Sequence, residues 1–230
     1  SIEAFMINRP EKIKEVFKGV EFIVIDEIHS FIGQDRGYHL QSLLYRLDEY
    51  FDNNPRIFGL SATIGGTDLI KKWICDDTEK VRLVSGLSSS KKTYYNIMHF
   101  EKTEDSDDKI NPMVIKDILE LTESNKALIF CNSRVKVEAL TYTLNEKLGY
   151  TKFYAHHSYI DKNLKEEIEN LVKEDDSVCI VSTSTLELGI DIGSVDLVIQ
   201  LDCTFSVSSL KQRIGRTGRR KNQDRISQIY

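Results

Sequence analysis

Phe22-Ile23-Val24-Ile25, followed at once by Asp26-Glu27-Ile28-His29, is the stretch on which the reading of this chain turns. Four β-prone apolar residues read as a buried strand, and the two acids then sit at its C-terminal end. In an open α/β sheet that edge is where ligands bind. A first carboxylate there can hold a hydrated Mg²⁺ while its neighbour orients a water against a phosphate, the division of labour that phosphoryl transfer needs. An apolar strand ending in Asp-Glu also arises by chance, so the surrounding sequence has to decide.

Around this strand the N-terminal part alternates two periodicities. Pro10 opens a helix over 11–17. Leu40, Leu43, Leu44, Leu47 and Phe51 recur at helical spacing, which predicts an amphipathic helix over 38–51, broken by Asn53-Asn54-Pro55. A second strand, 56–60, ends in Ser61-Ala62-Thr63, and a helix follows over 67–74. Short strands over 81–84 and 94–100 lead away from this unit. Ser and Gly enrich 85–92 and acids enrich 101–109, so the expected division is a first domain at 1–88, a linker at 89–112 and a second domain at 113–230. The second domain is more regular: helix 113–122, strand 127–131, helix 135–148, strand 151–155, helix 162–172, strands 178–182 and 195–201, and a helix around 208–214. Alternating strands and helices imply parallel crossovers and a three-layer α/β sandwich.

Composition narrows the class. A chain of 230 residues with 40% hydrophobic and 29% charged residues can bury an ordinary core. No apolar run approaches the ~20 residues of a membrane span, and no leader pattern opens the sequence; the expectation is a cytoplasmic protein without a membrane partner. Cys75, Cys131, Cys179 and Cys203 are scattered without a CxxC pair, which argues against zinc or iron–sulfur binding. Cys131 and Cys179 fall in strand-like runs and read as buried thiols. A net charge of −5 provides no overall basic field. Basic residues nevertheless gather late in the chain, where Lys211, Arg213, Arg216, Arg219, Arg220, Lys221 and Arg225 face only Asp224.

Polar clusters follow the apolar strands repeatedly: Asp26-Glu27, Ser61 with Thr63, Asn132-Ser133-Arg134, His156-His157-Ser158, and Thr183-Ser184. One such cluster is ordinary turn chemistry; several, on parallel strands, would line one edge of each sheet. Gln212-Arg213-Ile214-Gly215-Arg216-Thr217-Gly218-Arg219 adds arginines spaced by three beside glycines, and guanidinium forks of this kind match phosphate oxygens.

In order along the chain, these segments resemble the motifs of superfamily 2 helicases. Asp26-Glu27-Ile28-His29 resembles motif II, Ser61-Ala62-Thr63 motif III, the run from Leu128 to Arg134 motif IV, Ser182 to Asp191 motif V, and Gln212 to Arg219 motif VI. Within the superfamily, Thr185-Leu-Glu-Leu-Gly-Ile-Asp-Ile-Gly193 and the run from Asp26 through Arg36-Gly37 to Leu47 resemble the large helicase-related (Lhr) group. The resemblance implies two RecA-like αβα lobes with mainly parallel sheets, the first only partly present, and ATP with Mg²⁺ in a cleft between them. Asp26 would hold Mg²⁺ through water and Glu27 would polarise the attacking water. His29, Ser61 and Thr63 would couple nucleotide state to closure. Gly189 and Asp191 would approach the nucleotide ribose, and Gln212 would contact the nucleotide or His29. Arg216 and Arg219 would act on the γ-phosphate as arginine fingers, whereas Arg213 is expected to be structural. Ser133, Arg134, His157, Thr183 and Ser184 would hold the backbone of a single strand, DNA in preference to RNA; His156 competes with His157 for that role, and either could simply pack.

No G-x-x-x-x-G-K-[ST] phosphate loop occurs in these residues. The expectation is therefore a piece of a longer ATP-dependent helicase, with little hydrolysis by itself. The alternative is a truncated, catalytically inactive derivative that binds nucleic acid or a partner.

Overall fold

Residues 2–61, 66–84, 91–101, 110–187, 192–204, 206–218 and 223–230 are described by a computed structural model. They fall into two units, Ser1–Leu87 and Ser88–Tyr230.

In the first unit, helices α1 (Ile2–Asn8), α2 (Ile13–Phe17) and α3 (Asp35–Leu47) accompany strands β1 (Phe22–Ile25) and β2 (Arg56–Gly59), and α4 (Thr67–Ile74) follows. Pro10 begins a short 3₁₀ turn leading into α2, where its fixed φ fits and its missing N–H is harmless. Met6, Ile13, Leu43 and Leu47 are buried together where the helices meet. β1 and β2 pair in parallel, Ile25 opposite Gly59, so both chains leave the sheet on the same edge. β1 is not buried on both faces: Phe22 and Val24 are exposed while Ile25 is buried. The strand has period two, and in this two-stranded sheet Phe22 and Val24 share the open side. Residues 81–84, expected as a strand, form none; Leu83 and Val84 are exposed there.

The second unit contains β3 (Thr93–Ile97), α5 (Pro112–Thr122), β4 (Ala127–Phe130), α6 (Arg134–Leu148), β5 (Phe153–His156), α7 (Lys162–Glu174), β6 (Cys179–Ser182), β7 (Leu197–Gln200), α8 (Val207–Ile214) and β8 (Arg225–Ile229). Six strands form one sheet in the order β3-β8-β7-β4-β6-β5, and every pairing is parallel. Alternate residues of β4 feed two cores. Ala127 and Ile129 pack with Ile118, Val137 and Leu140; Leu128 and Phe130 pack with Ile168, Val172 and Leu186. This is the three-layer αβα arrangement. Cys131 and Cys179 are buried free thiols, as their strand context predicts.

The last strand, β8, lies in sequence beside a basic stretch and has no strong local signal. Its partner β3 falls inside 89–112, the stretch expected to act as a linker, yet its residues pair from Thr93↔Arg225 to Ile97↔Ile229 as an edge of the second sheet. Each of the four larger helices here begins on a side chain that accepts a backbone N–H: Asn111, Ser133, Asp161 and Ser206.

Candidate active site

In the first unit the β1–β2 ladder continues past the strand ends. Leu60 N–H donates to Ile25 O, and Ile28 N–H donates to Leu60 O, each at 2.9 Å. The chain must turn sharply between these bonds, and it does so at Glu27, whose φ of 48° and ψ of 42° are left-handed. A bulky residue seldom adopts this conformation, and holding it costs about 1–2 kcal/mol. Asp26 Oδ1 accepts the Glu27 N–H at 2.9 Å. Ile28 is buried against Gly59, where an added Cβ would lie 2.7 Å from the Ile28 Cδ1. A side chain at position 59 would push the Ile28 and Ile74 side chains aside.

His29 lies in the 3₁₀ turn Ile28–Ser30, and its Nδ1 hydrogen-bonds Ser61 Oγ at 2.7 Å and lies 3.5 Å from Glu27 Oε2. Arg36 closes the turn from below. Its Nε and Nη2 donate to Ser30 O at 3.1 and 2.7 Å, and its guanidinium lies over the Phe31 ring. Gly37 is buried where a Cβ would come within 1.9 Å of Phe31 O. Asp26, Glu27, His29 and Ser61 are thus gathered at one strand-end edge, while Thr63 lies outside the described residues.

Mg²⁺ in phosphoryl-transfer sites takes one or two carboxylates, phosphate oxygens and water. Among the described residues no cluster of three or more ligating side chains forms. Asp26, an exposed carboxylate, fits the water-mediated mode. Glu27 Oε2 is buried without a hydrogen-bond partner, which suits a carboxylate held ready for a polar ligand.

In the second unit the polar clusters after β4, β5 and β6 share the C-terminal edge of the sheet. Ser133 caps α6 by accepting Lys136 N–H at 3.2 Å. Arg134 is exposed, with its guanidinium 4.3 Å from the centre of the Tyr159 ring. Both histidines are buried. His156 bridges Thr185 Oγ1 at 3.0 Å and Glu169 Oε1 at 3.1 Å. Burial lowers its pKa, with the Glu169 carboxylate opposing the shift. His157 Nε2 meets Glu138 Oε1 at 2.6 Å, and its Nδ1 is buried without a hydrogen-bond partner. Thr183 is half-buried, and Ser184 is exposed at the start of a 3₁₀ turn.

The arginines at the end of α8 and just after it are held by Glu187, to which the sequence assigns no role. Glu187 Oε1 accepts Arg213 Nε at 2.8 Å and also its Nη2, while Arg213 Nη1 donates to Gln200 Oε1 at 2.7 Å. Arg213 is fully buried above Phe130, in keeping with a structural role. The Glu187 backbone carbonyl in turn accepts Arg216 Nη2. Glu187 therefore joins both arginines to the segment that follows β6. Arg216 is buried, and Gln212 is half-buried on α8. Gly218, at φ +66°, turns the chain where a Cβ would meet Arg225 and the Gln223 carbonyl. Gly189, Asp191 and Arg219 lie outside the described residues.

The DEAD/DEAH box helicase model matches residues 2–71, and the helicase conserved C-terminal domain model matches residues 111–221. The chain belongs to the superfamily 2 helicases. Its helicase relatives include the ATP-dependent helicase Lhr-Core protein 2 of Thermococcus barophilus, 34% identical over 96% of this chain and 26% of the relative. The Lhr-Core helicase of Methanocaldococcus jannaschii is 35% identical over the same shares. Among solved structures, Mycobacterium smegmatis helicase Lhr bound to ssDNA and AMP-PNP superposes with a TM-score of 0.79 at 28% identity, covering 99% of this chain and 32% of that one. The chain thus spans about a quarter of the curated helicases it matches and about a third of the solved one.

Proposed function

We propose that this chain supplies the water-activating, coupling and strand-holding parts of an ATP-dependent helicase that moves on single-stranded DNA. The observation that carries the reading is Glu27: beside Asp26, it occupies a left-handed backbone position, with one carboxylate oxygen buried without a hydrogen-bond partner, 3.5 Å from the Nδ1 by which His29 is tied to Ser61. Asp26 would hold Mg²⁺ through water, and the ion, when bound, supplies charge stabilisation at the phosphates. Glu27 orients the attacking water and accepts its proton. His29, Ser61 and Thr63 relay the state of the nucleotide. Arg216 and Arg219 act on the γ-phosphate; for Arg216 this means leaving the Glu187 carbonyl. Gly189, Asp191 and Gln212 face the nucleotide.

Residues 1–88 fit the second half of one RecA-like lobe, and 113–230, extended by the strand Thr93–Ile97, fit a second lobe. Ser133, Arg134, Thr183 and Ser184 hold the strand backbone from the sheet edge, with His157 acting through the loop that it anchors to Glu138. The ssDNA in the similar Lhr structure supports DNA as the nucleic acid. Four free cysteines support a reducing, cytoplasmic setting.

The test uses the full-length product of the gene. ATP hydrolysis stimulated by single strands should be abolished by Glu27→Gln, and unchanged turnover in that variant would sink the assignment. Loss of an arginine finger should lower turnover by ~10³–10⁵. Binding should weaken steeply with salt, log K falling with a slope of about 0.7 per phosphate contacted on a single strand. Unwinding of DNA, RNA and hybrid duplexes with either overhang decides the strand and the direction.

A further inference from the structure

Two contacts clasp the loop after β5 to one face of α6. Arg134 and Glu138 are four residues apart, hence neighbours on the helix surface. Tyr159 and His157 are two apart in the loop. Arg134 lies over the Tyr159 ring at 4.3 Å, and Glu138 holds His157 at 2.6 Å. Below them, Lys165 Nζ donates to Ser158 O at 3.0 Å, and Ile160 N–H donates to His157 O at 3.2 Å. His157 is buried, so the loop is pinned at its base. Tyr159 nevertheless remains 78% exposed. With one face of its ring under a guanidinium, the other is open to solvent at the edge that carries Ser133, Arg134 and Ser184.

An exposed aromatic ring would ordinarily lose freedom on meeting a ligand; here the clasp has already fixed it. A flat, preset π-face beside phosphate-binding donors is what an unpaired nucleobase recognises, because every base has a face to stack while its backbone is held separately. We propose that Tyr159, backed by Arg134, is a stacking platform for one base of the bound single strand. The inference rests on the single-strand binding proposed above, and it adds a contact to a base where the earlier assignments reach only the backbone.

The experiment measures binding of the full-length gene product to a fluorescein-labelled oligothymidylate and to an abasic sugar–phosphate oligomer of equal length, by anisotropy. Wild type should prefer the oligomer with bases. Tyr159→Ala should weaken oligothymidylate binding by about 5- to 150-fold, the effect of removing one stacking ring, and leave the abasic oligomer unaffected. Tyr159→Phe should keep the preference, which a role through the tyrosine hydroxyl would not allow. Equal weakening of both oligomers, or an unchanged preference in Tyr159→Ala, overturns the platform while leaving single-strand binding intact. Wild type that binds neither oligomer overturns the single-strand reading itself, and the platform with it.

Discussion

His29 Nδ1 and Ser61 Oγ meet at 2.7 Å across the ends of two neighbouring parallel strands. The bond joins the residue two positions after Glu27 to the segment that leaves the adjacent strand. A change felt at Glu27 therefore has a direct path to residues beyond Ser61. Ser61→Ala should preserve most ATP turnover while lowering the unwinding obtained per ATP about 5-fold or more, the low end of typical coupling between sites. Parallel hydrolysis and unwinding assays on the full-length protein check this; equal losses in both would mean that Ser61 serves chemistry rather than coupling.

The turn bearing His29 also depends on a glycine whose neighbours leave it no room. Gly37→Ala would put a methyl against the Phe31 carbonyl, and overpacking of this kind destabilises by about 1–3 kcal/mol. Gly19→Ala is the control: its Cβ would meet nothing within 4 Å, and no left-handed conformation strains it. Chemical denaturation should separate the two variants, with Gly19→Ala near wild type or slightly above it.

Glu187 and Arg213 form a largely buried ion pair, with side chains 13% and 1% exposed. Removing one partner leaves an uncompensated charge, so Arg213→Ala should cost about 3–5 kcal/mol. Lysine cannot reproduce the fork that reaches both Glu187 and Gln200, so Arg213→Lys should recover little of it. A double-mutant cycle with Glu187→Ala should reveal coupling of about 0.5–3 kcal/mol in denaturant midpoints. Independent, additive effects would contradict the pairing.

His156 makes stability depend on pH. Burial holds its folded pKa below the ordinary value of about 6.5. As pH falls through 6.5, the unfolded chain takes up a proton that the folded chain does not, and stability drops. The contribution is fully present above pH 6.5 and is lost progressively on acidification toward the folded pKa. Urea midpoints measured from pH 8 to 5 should fall less steeply in His156→Gln than in wild type.

Much of this was legible in the sequence because apolar runs and helical spacing are local. The strands from Phe22, Arg56, Ala127 and Cys179 announce themselves, and so do the polar residues that follow them at the C-terminal edges of the sheets. What could not be read depends on distant partners. Thr93–Ile97 pairs with Arg225–Ile229, and nothing near either segment names the other. Val81 to Val84 has the same β-prone character and finds no strand partner among the described residues. Glu187 sits in a recognisable motif, but its hold on Arg213 spans 26 residues and exists only once β6 and α8 are folded. The exposure of Phe22 and Val24 likewise depends on what covers the sheet rather than on the strand itself.

Glutamate at position 27 also says something about inheritance. A left-handed backbone suits glycine or asparagine better than a long acidic side chain. Selection for folding alone would thus favour exchange at this site, whereas Leu128 or Ile118 would be held in place by the core. In a lineage that no longer needed the hydrolysis proposed for Glu27, random drift would run downhill here first. The identity of this one residue in descendants of the gene is therefore a compact gauge of whether the site is still in use.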